Sequence, residues 1–306
     1  MTTNKQPFTR NEAGTTGVVP TFSFGQNWSD FLERALSPEK IALAREQTAT
    51  FLNLQHFEGR TFLDVGCGSG VFSHAAFSLG AKHVTSFDVD PLSVSCCEYM
   101  KERAGNPPNW EVMHGSILDD GFVASLPPSD IVYSWGVLHH TGDMWRAIRN
   151  AASLVKPNGL FFIAIYNKVE FDSLKSVRGS HGWVRLKRAY NRSGPVGKRA
   201  LEGIFAAKDV AKWIVTLRNP LAEIRAYKAM RGMSWWYDIV DWLGGYPYEF
   251  ASPAEIFAFC HGQLGFTLEN MSTCTSIGCN EFLFSAPPEG RRVAGSPPPA
   301  TVQQTA

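Results

Sequence analysis

The sequence predicts an α/β chain built on a doubly wound, mostly parallel sheet, and three observations carry that expectation. Between residues 58 and 167, short apolar and β-branched runs alternate with segments of helical spacing. A glycine-rich turn joins the first run to the helix that follows it, in TFLDVGCGSG, Thr61 to Gly70. A second run, KHVTSFDVD, then ends in Asp88, roughly twenty residues beyond the glycines.

Each element follows in order. The polar start, MTTNKQPFTRNEAGTTG, predicts a disordered arm over residues 1–20. Residues 21–57 predict an N-terminal helical cap with apolar spacing at Ile41, Leu43 and Ala44, Ser37 as N-cap and Pro38 at the first helical position. This cap is expected to pack over the ligand cleft. Thr61, Phe62, Leu63 and Val65 have the character of a short buried strand, and Gly66, Gly68 and Gly70 let the backbone approach a ligand. VFSHAAFSLGA reads as the following helix, stopped at Gly80. An acid at the end of the next strand, Asp88, can accept both hydroxyls of a ribose. The alternate-glycine spacing lacks the two-residue gap of the dinucleotide fingerprint, so the expected ligand is a nucleoside without pyrophosphate.

At these residues the chain resembles the class I S-adenosylmethionine-dependent methyltransferases. DVGCGSG, Asp64 to Gly70, matches the family's acid followed by G-x-G-x-G, and Asp88 in TSFDVDP corresponds to its ribose-binding acid. HGSILDD from His114, SDIVYSWGVLHH from Ser129 and LVKPNGLFFIAIYN from Leu154 match later motifs in the same order. The resemblance implies a Rossmann-like sheet of seven strands with an antiparallel last strand, over a core of residues 58–167 closed by residues 251–286. It implies S-adenosylmethionine as cofactor, held by Asp64, Gly66, Cys67, Gly68, Gly70, Asp88, Val89, Ser116, Ile117 and Trp135. Ser116 stands where the family commonly has an acid, so its hydroxyl is left to meet the adenine amine.

After Asn167 the strand and helix rhythm stops, and residues 168–250 predict a basic, aromatic helical lid. Between Lys168 and Arg231 there are 15 Lys and Arg against 5 Asp and Glu, in a chain of net charge +1. Ala200, Leu201, Ile204, Phe205, Val210, Trp213, Ile214 and Leu217, interleaved with the basic residues, suggest amphipathic helices forming a lid. The basic residues fit solvated outer faces, an anionic small acceptor, or a peripheral membrane contact anchored by Trp183 and Trp213. No nucleic-acid module is recognisable, and no nucleic acid is expected as partner. Trp235, Trp236 and Trp242 lie at helical spacing, and Tyr246, Tyr248 and Glu249 follow Gly244 and Gly245 in a loop where exposed polar aromatics are expected. Ser252 to Glu255 is a capping box with proline at the first helical position. Phe266 to Thr275 and Glu281 to Ser285 predict an antiparallel closing pair, before a Pro-rich tail, 287–306, expected to be disordered.

Methyl transfer requires an acceptor aligned with the donor and somewhere for the acceptor's proton to go. His139 and His140 end the fourth strand-like segment, where an open α/β sheet faces its ligand, and with Tyr246 they are the catalytic candidates. Tyr166, Asn167, Asn280 and Glu281 could reach the same crevice. The expected reaction is O-methylation of a small molecule with histidine as general base. Carbon methylation of a phosphate-bearing substrate such as a prenyl diphosphate, and a non-catalytic adenosylmethionine-binding protein, are the alternatives. The six cysteines form no C-x-x-C pair or zinc grid, so no metal is expected. With 44% hydrophobic and 19% charged residues, no apolar run long enough to span a bilayer and no signal-peptide core at its start, the chain reads as a cytoplasmic enzyme.

Overall fold

The structure is a computed structural model, and it describes residues 24–170, 179–231 and 235–288. The expected disordered arm and most of the expected tail lie outside the described residues. Seven strands form one sheet in the order β3-β2-β1-β4-β5-β7-β6. These are β1 (Thr61–Val65), β2 (His83–Asp88), β3 (Trp110–His114), β4 (Ser129–Trp135), β5 (Val155–Tyr166), β6 (Thr267–Ser272) and β7 (Cys279–Ser285). The first five run parallel, while β7 is antiparallel to both β5 and β6. The order reverses between β1 and β4, so their carboxyl ends part and open a crevice.

The helices are α1 (Gly25–Arg34), α2 (Pro38–Phe51), α3 (Val71–Ser78), α4 (Pro91–Arg103), α5 (Asp120–Ser125), α6 (Met144–Ser153), α7 (Ser180–Arg192), α8 (Pro195–Val215), α9 (Pro220–Arg231), α10 (Trp235–Gly244) and α11 (Pro253–Phe257). Helix α2 starts as expected, with the Ser37 hydroxyl accepting from the Lys40 N–H and Pro38 at the first position. Both halves of the capping box at Ser252 and Glu255 form at the start of α11, which runs on into a π-helical turn, Ala258–Gln263. The closing pair is displaced from its expected bounds, its first strand shorter and its second longer, because Asn280 and Cys279 already pair with Ile165 and Tyr166.

Each sheet face carries its own buried cluster. One packs Leu63, Val132, Ile163 and Phe282 under α6 and α11; the other packs Phe62, Val84, Tyr133 and Phe162 under α2, α3 and α4. Helices α7, α8 and α10 form a smaller cluster of their own around Tyr190, Ile239 and Leu243. The lid therefore has a core of modest size and relies on its base for attachment. Two expectations fail along these helices. Leu43 is exposed on α2 while Ala44 is buried, and Ile204, Ile214 and Leu217 are exposed instead of facing inward.

Candidate active site

The first wall of the crevice is the turn between β1 and α3. Gly66, Gly68 and Gly70 all have positive φ, a region that favours residues without Cβ. At Gly68 a Cβ would lie 2.9 Å from the indole nitrogen of Trp28, and at Gly70 it would lie 2.7 Å from the Cys97 backbone. The turn is therefore pressed between α1 above and α4 behind. Its Gly66 and Cys67 amides donate to the Phe87 carbonyl at 2.9 and 3.0 Å, and the Gly68 amide donates to Asp88 Oδ2 at 3.0 Å. The other oxygen, Oδ1, takes the Asp90 N–H at 2.9 Å, which leaves lone pairs free on a carboxylate at the lip of the crevice. Burial raises Asp88 to about 6, against the pull of those N–H donors.

Behind the turn, Asp64 is 2% exposed and accepts from the Ser73 hydroxyl at 2.5 Å, while Ser86 donates to Ser73 and the Trp110 indole donates to Ser86. Burial lifts Asp64 to about 7. Val89 has 60% of its surface exposed, and on the loop whose Gly115 N–H donates to the Asp88 carbonyl, the Ser116 hydroxyl accepts the Leu118 N–H at 3.2 Å. Helix α1 closes this side. The Gly25 N–H donates to Asp90 at 3.0 Å, and Asn27 reaches from the same helix to Asp241 of α10.

The opposite wall is built by the 3-10 turn Leu138–His140, the end of β5 and the loop after α10. His140 Nδ1 lies 2.6 Å from the Pro247 carbonyl, which can only accept, so Nδ1 carries the proton and Nε2 keeps its lone pair. Phe24 packs on this ring at 4.9 Å. Burial and then the nearby Lys187 charge hold His140 down at about 3, with the Pro247 bond opposing them. Tyr166 sits beside it, 5.4 Å from His140, 4.0 Å from His139 and 5.0 Å from Tyr248, ring centre to ring centre.

From the lid, Lys187 enters this wall as a buried ammonium, 1% exposed. Trp183, Trp242 and Tyr248 present ring faces to it at 5.9, 5.7 and 5.0 Å, and the Trp242 carbonyl accepts one of its protons. Burial pulls Lys187 down to about 7, with the Asp241 carboxylate opposing that fall. Burial in turn pushes Asp241 up to about 8, and Asp238 adds to the rise while Lys187 opposes it.

Comparisons with known proteins agree on one family. Residues 63–161 match the family described as "Methyltransferase domain". A protein named ubiquinone biosynthesis O-methyltransferase from Methylobacterium sp. (strain 4-46) is 28% identical over 217 residues, covering 61% of this chain and 85% of the relative. A protein of the same name from Xanthomonas euvesicatoria pv. vesicatoria (strain 85-10) is 29% identical over 202 residues, covering 66% and 75%. Among solved structures, magnesium protoporphyrin IX methyltransferase from Synechocystis PCC 6803 is similar at 16% identity and a TM-score of 0.47, covering 85% of this chain and 93% of that one. The chain carries a methyltransferase domain over residues 63–161, and its activity is S-adenosylmethionine-dependent methyl transfer.

This methyltransferase has a crevice whose residues fit its cofactor, because the turn lacks Cβ atoms, Asp88 keeps free lone pairs and Val89 offers an exposed apolar surface. Of the residues expected to hold the cofactor, Gly66, Gly68, Gly70, Asp88, Val89 and Ser116 meet around this wall, with Asp64, Cys67 and Ile117 buried directly behind. Trp135 lies exposed at the end of β4, its indole N–H donating to Glu281 at 2.8 Å. The catalytic candidates separate. His139 has no exposed surface and its Nδ1 accepts the Tyr166 N–H at 3.3 Å, so an acceptor cannot reach it, in contrast to the sequence expectation. Its neighbour His140 is only partly covered. Tyr246 is half-buried with the Arg188 guanidinium 5.9 Å over its ring.

Other expectations are corrected by packing. Tyr248 is buried against Tyr166 and Lys187, and Glu249 accepts the Gly142 and Met144 N–H groups at the start of α6. Asn280 and Asn167 bond to each other and to the 274–276 turn, which spends their polar groups on the closing hairpin. Sequence reasoning missed Phe24, Asn27 and Asp241 altogether and did not single out Lys187 from the other basic residues of the lid. A periodic contrast could have flagged Lys187, since it shares a helix face with Trp183 four residues before it. No group of three or more His, Cys, Asp or Glu suited to a metal occurs among the described residues.

Proposed function

We propose that this enzyme methylates an oxygen atom of a small-molecule acceptor held between Tyr166, Tyr246 and His140, with Gly66, Gly68, Gly70, Asp88, Val89 and Ser116 holding the cofactor. The observation that carries the oxygen acceptor is the His140 ring, anchored through Nδ1–H to Pro247 with its Nε2 lone pair available. The name O-methyltransferase borne by the curated relatives supports the same reading.

When bound, S-adenosylmethionine supplies an electrophilic methyl group. His140 Nε2 would accept the hydrogen bond of the acceptor hydroxyl, which leaves that oxygen's lone pairs free for methylation. As the oxygen gains its methyl, its proton passes to Nε2. A protonated ether is far more acidic than an imidazolium, so a ring held near 3 still takes this proton, and at neutral pH it is never blocked by a resting charge. His139 positions Tyr166 from beneath, and Asp88 fixes the cradle through the Gly68 and Asp90 amides.

Carbon methylation through a carbocation is weakened by Lys187. The aromatic faces of Trp183, Trp242 and Tyr248 that would stabilise such a cation already surround the enzyme's own ammonium. The test is transfer of labelled methyl from S-adenosylmethionine to a panel of phenols, alcohols, carboxylates, amines and prenyl diphosphates. Methyl ether or ester formation is the expected result, and transfer confined to nitrogen or carbon overturns the reading.

A further inference from the structure

Helix α8 is amphipathic in a direction the fold does not use. Its inner face is filled: Glu202 accepts from the Tyr190 hydroxyl at 2.7 Å, Phe205 packs on Trp183, Trp213 packs on Trp235, and Asp209 accepts from the Trp235 indole at 3.1 Å. Its outer face carries Ala200, Ile204, Ala207, Ala211 and Val215 at spacings of three and four residues, all of them exposed. At the tip, Ile214, Val215, Leu217 and Leu221 are 59%, 81%, 96% and 66% exposed. Isolated apolar residues on a surface need no explanation, but a stripe ending in a cluster of four points to a partner.

The charges on this face say which partner. Lys208 and Lys212 interleave the apolar stripe, and Arg218 and Arg225 flank the tip, all exposed. Between Ser180 and Arg231 twelve Lys and Arg stand against three Asp and Glu, and the three acids are already engaged, Glu202 with Arg199, Asp209 with Trp235 and Glu223 with Arg218. A second copy of this chain meeting the face symmetrically would set these cations against themselves. An anionic bilayer neutralises them while its acyl boundary takes up the apolar tip. No helix among the described residues is long and apolar enough to cross a membrane, so the contact is with the surface.

We propose that the outer face of α8 and the α8–α9 tip dock the enzyme on an anionic lipid surface, with Val215, Leu217 and Leu221 entering the headgroup layer and Lys208, Lys212 and Arg225 meeting its phosphates. The proposal stands apart from the choice of methyl acceptor. It is tested by flotation of the full chain with phosphatidylcholine vesicles, with and without phosphatidylglycerol. Binding is expected on the anionic vesicles, at least about tenfold stronger than on pure phosphatidylcholine. Leu217→Asp combined with Val215→Asp should weaken it more than about tenfold, and Lys212→Gln about fivefold, each leaving the melting temperature unchanged because the side chains are exposed. No binding, equal binding to both vesicles, or unaltered binding by the Leu217→Asp, Val215→Asp variant overturns the proposal. So does sedimentation as a dimer that Leu217→Asp breaks, which would assign the face to a second copy.

Discussion

The two walls of the crevice are held together in different ways. On the cofactor side, the bonds that shape the turn join residues close in the chain: Gly68 to Asp88, Gly66 to Phe87, Asp90 to Asp88. On the acceptor side the contacts span greater lengths of chain, the bonds of His140 to Pro247 and Lys187 to Trp242 and the ring contact of Tyr166 with Tyr248. A local cradle specifies itself wherever its strand and helix form. The acceptor wall exists only when the cap, the lid and the loop after α10 have all docked, so it is free to vary while the donor stays the same.

If that contrast is right, damage to each wall has its own kinetic signature. The largest effect is expected for His140→Ala, a fall in kcat of about a hundredfold or more with cofactor affinity unchanged, measured by steady-state kinetics beside calorimetry. Equal losses in both quantities would erase the distinction between the walls. Next comes Asp88→Ala, which removes the acceptor for two backbone N–H groups and for the ribose, and should weaken S-adenosylhomocysteine binding about a hundredfold by calorimetry. In the unaltered enzyme the same affinity should decline as pH falls through about 6. A carboxyl raised to that value protonates there and loses its capacity to accept.

A smaller effect sharpens the role of the cap. Gly68→Ala places a Cβ against the Trp28 indole at a positive φ, and should weaken cofactor binding about tenfold. Pairing it with Trp28→Leu should recover part of the loss, and a strictly additive pair would show that α1 does not press on the turn. The smallest effect tests the lid. Lys187→Met removes a cation facing His139 and His140, so the His140 pKa should rise. The acid limb of kcat against pH should then begin about half a unit or more higher, with little change at neutral pH. The other groups facing this wall are Asp241 from α10, whose carboxyl loses the lowering pull of Lys187 and rises further toward its neutral form, and the phenols of Tyr166 and Tyr248. A limb that stays in place would leave burial alone as the cause of the depressed histidine.

Much of the cradle was legible in the chain because its information is local. Three glycines that must adopt positive φ, an acid one strand later and a proline after an N-cap are each dictated by backbone sterics over a few residues. The seven-stranded, mostly parallel sheet and its closing hairpin were legible through the spacing of apolar runs and the family resemblance together. What the sequence concealed is where side chains finish. His139 and His140 are neighbours with the same chemistry and rings only 4.6 Å apart, yet one is sealed beneath Tyr166, whose N–H its Nδ1 accepts, and the other donates Nδ1–H to Pro247 and keeps a lone pair. Lys187 reads as one of a run of surface cations, and only the docking of α7 on α10 buries it among Trp183, Trp242 and Tyr248. Ile204, Ile214 and Leu217 read as part of the apolar spacing of the lid helices, and only the packing of α8 leaves them out in solvent. The sequence by itself determined the sheet, the glycine turn and the methyl donor, since those follow from local steric and hydrogen-bonding rules. Tertiary structure decided which histidine can serve as base, which lysine is buried and which lid face is left uncovered, since burial belongs to contacts between segments far apart in the chain.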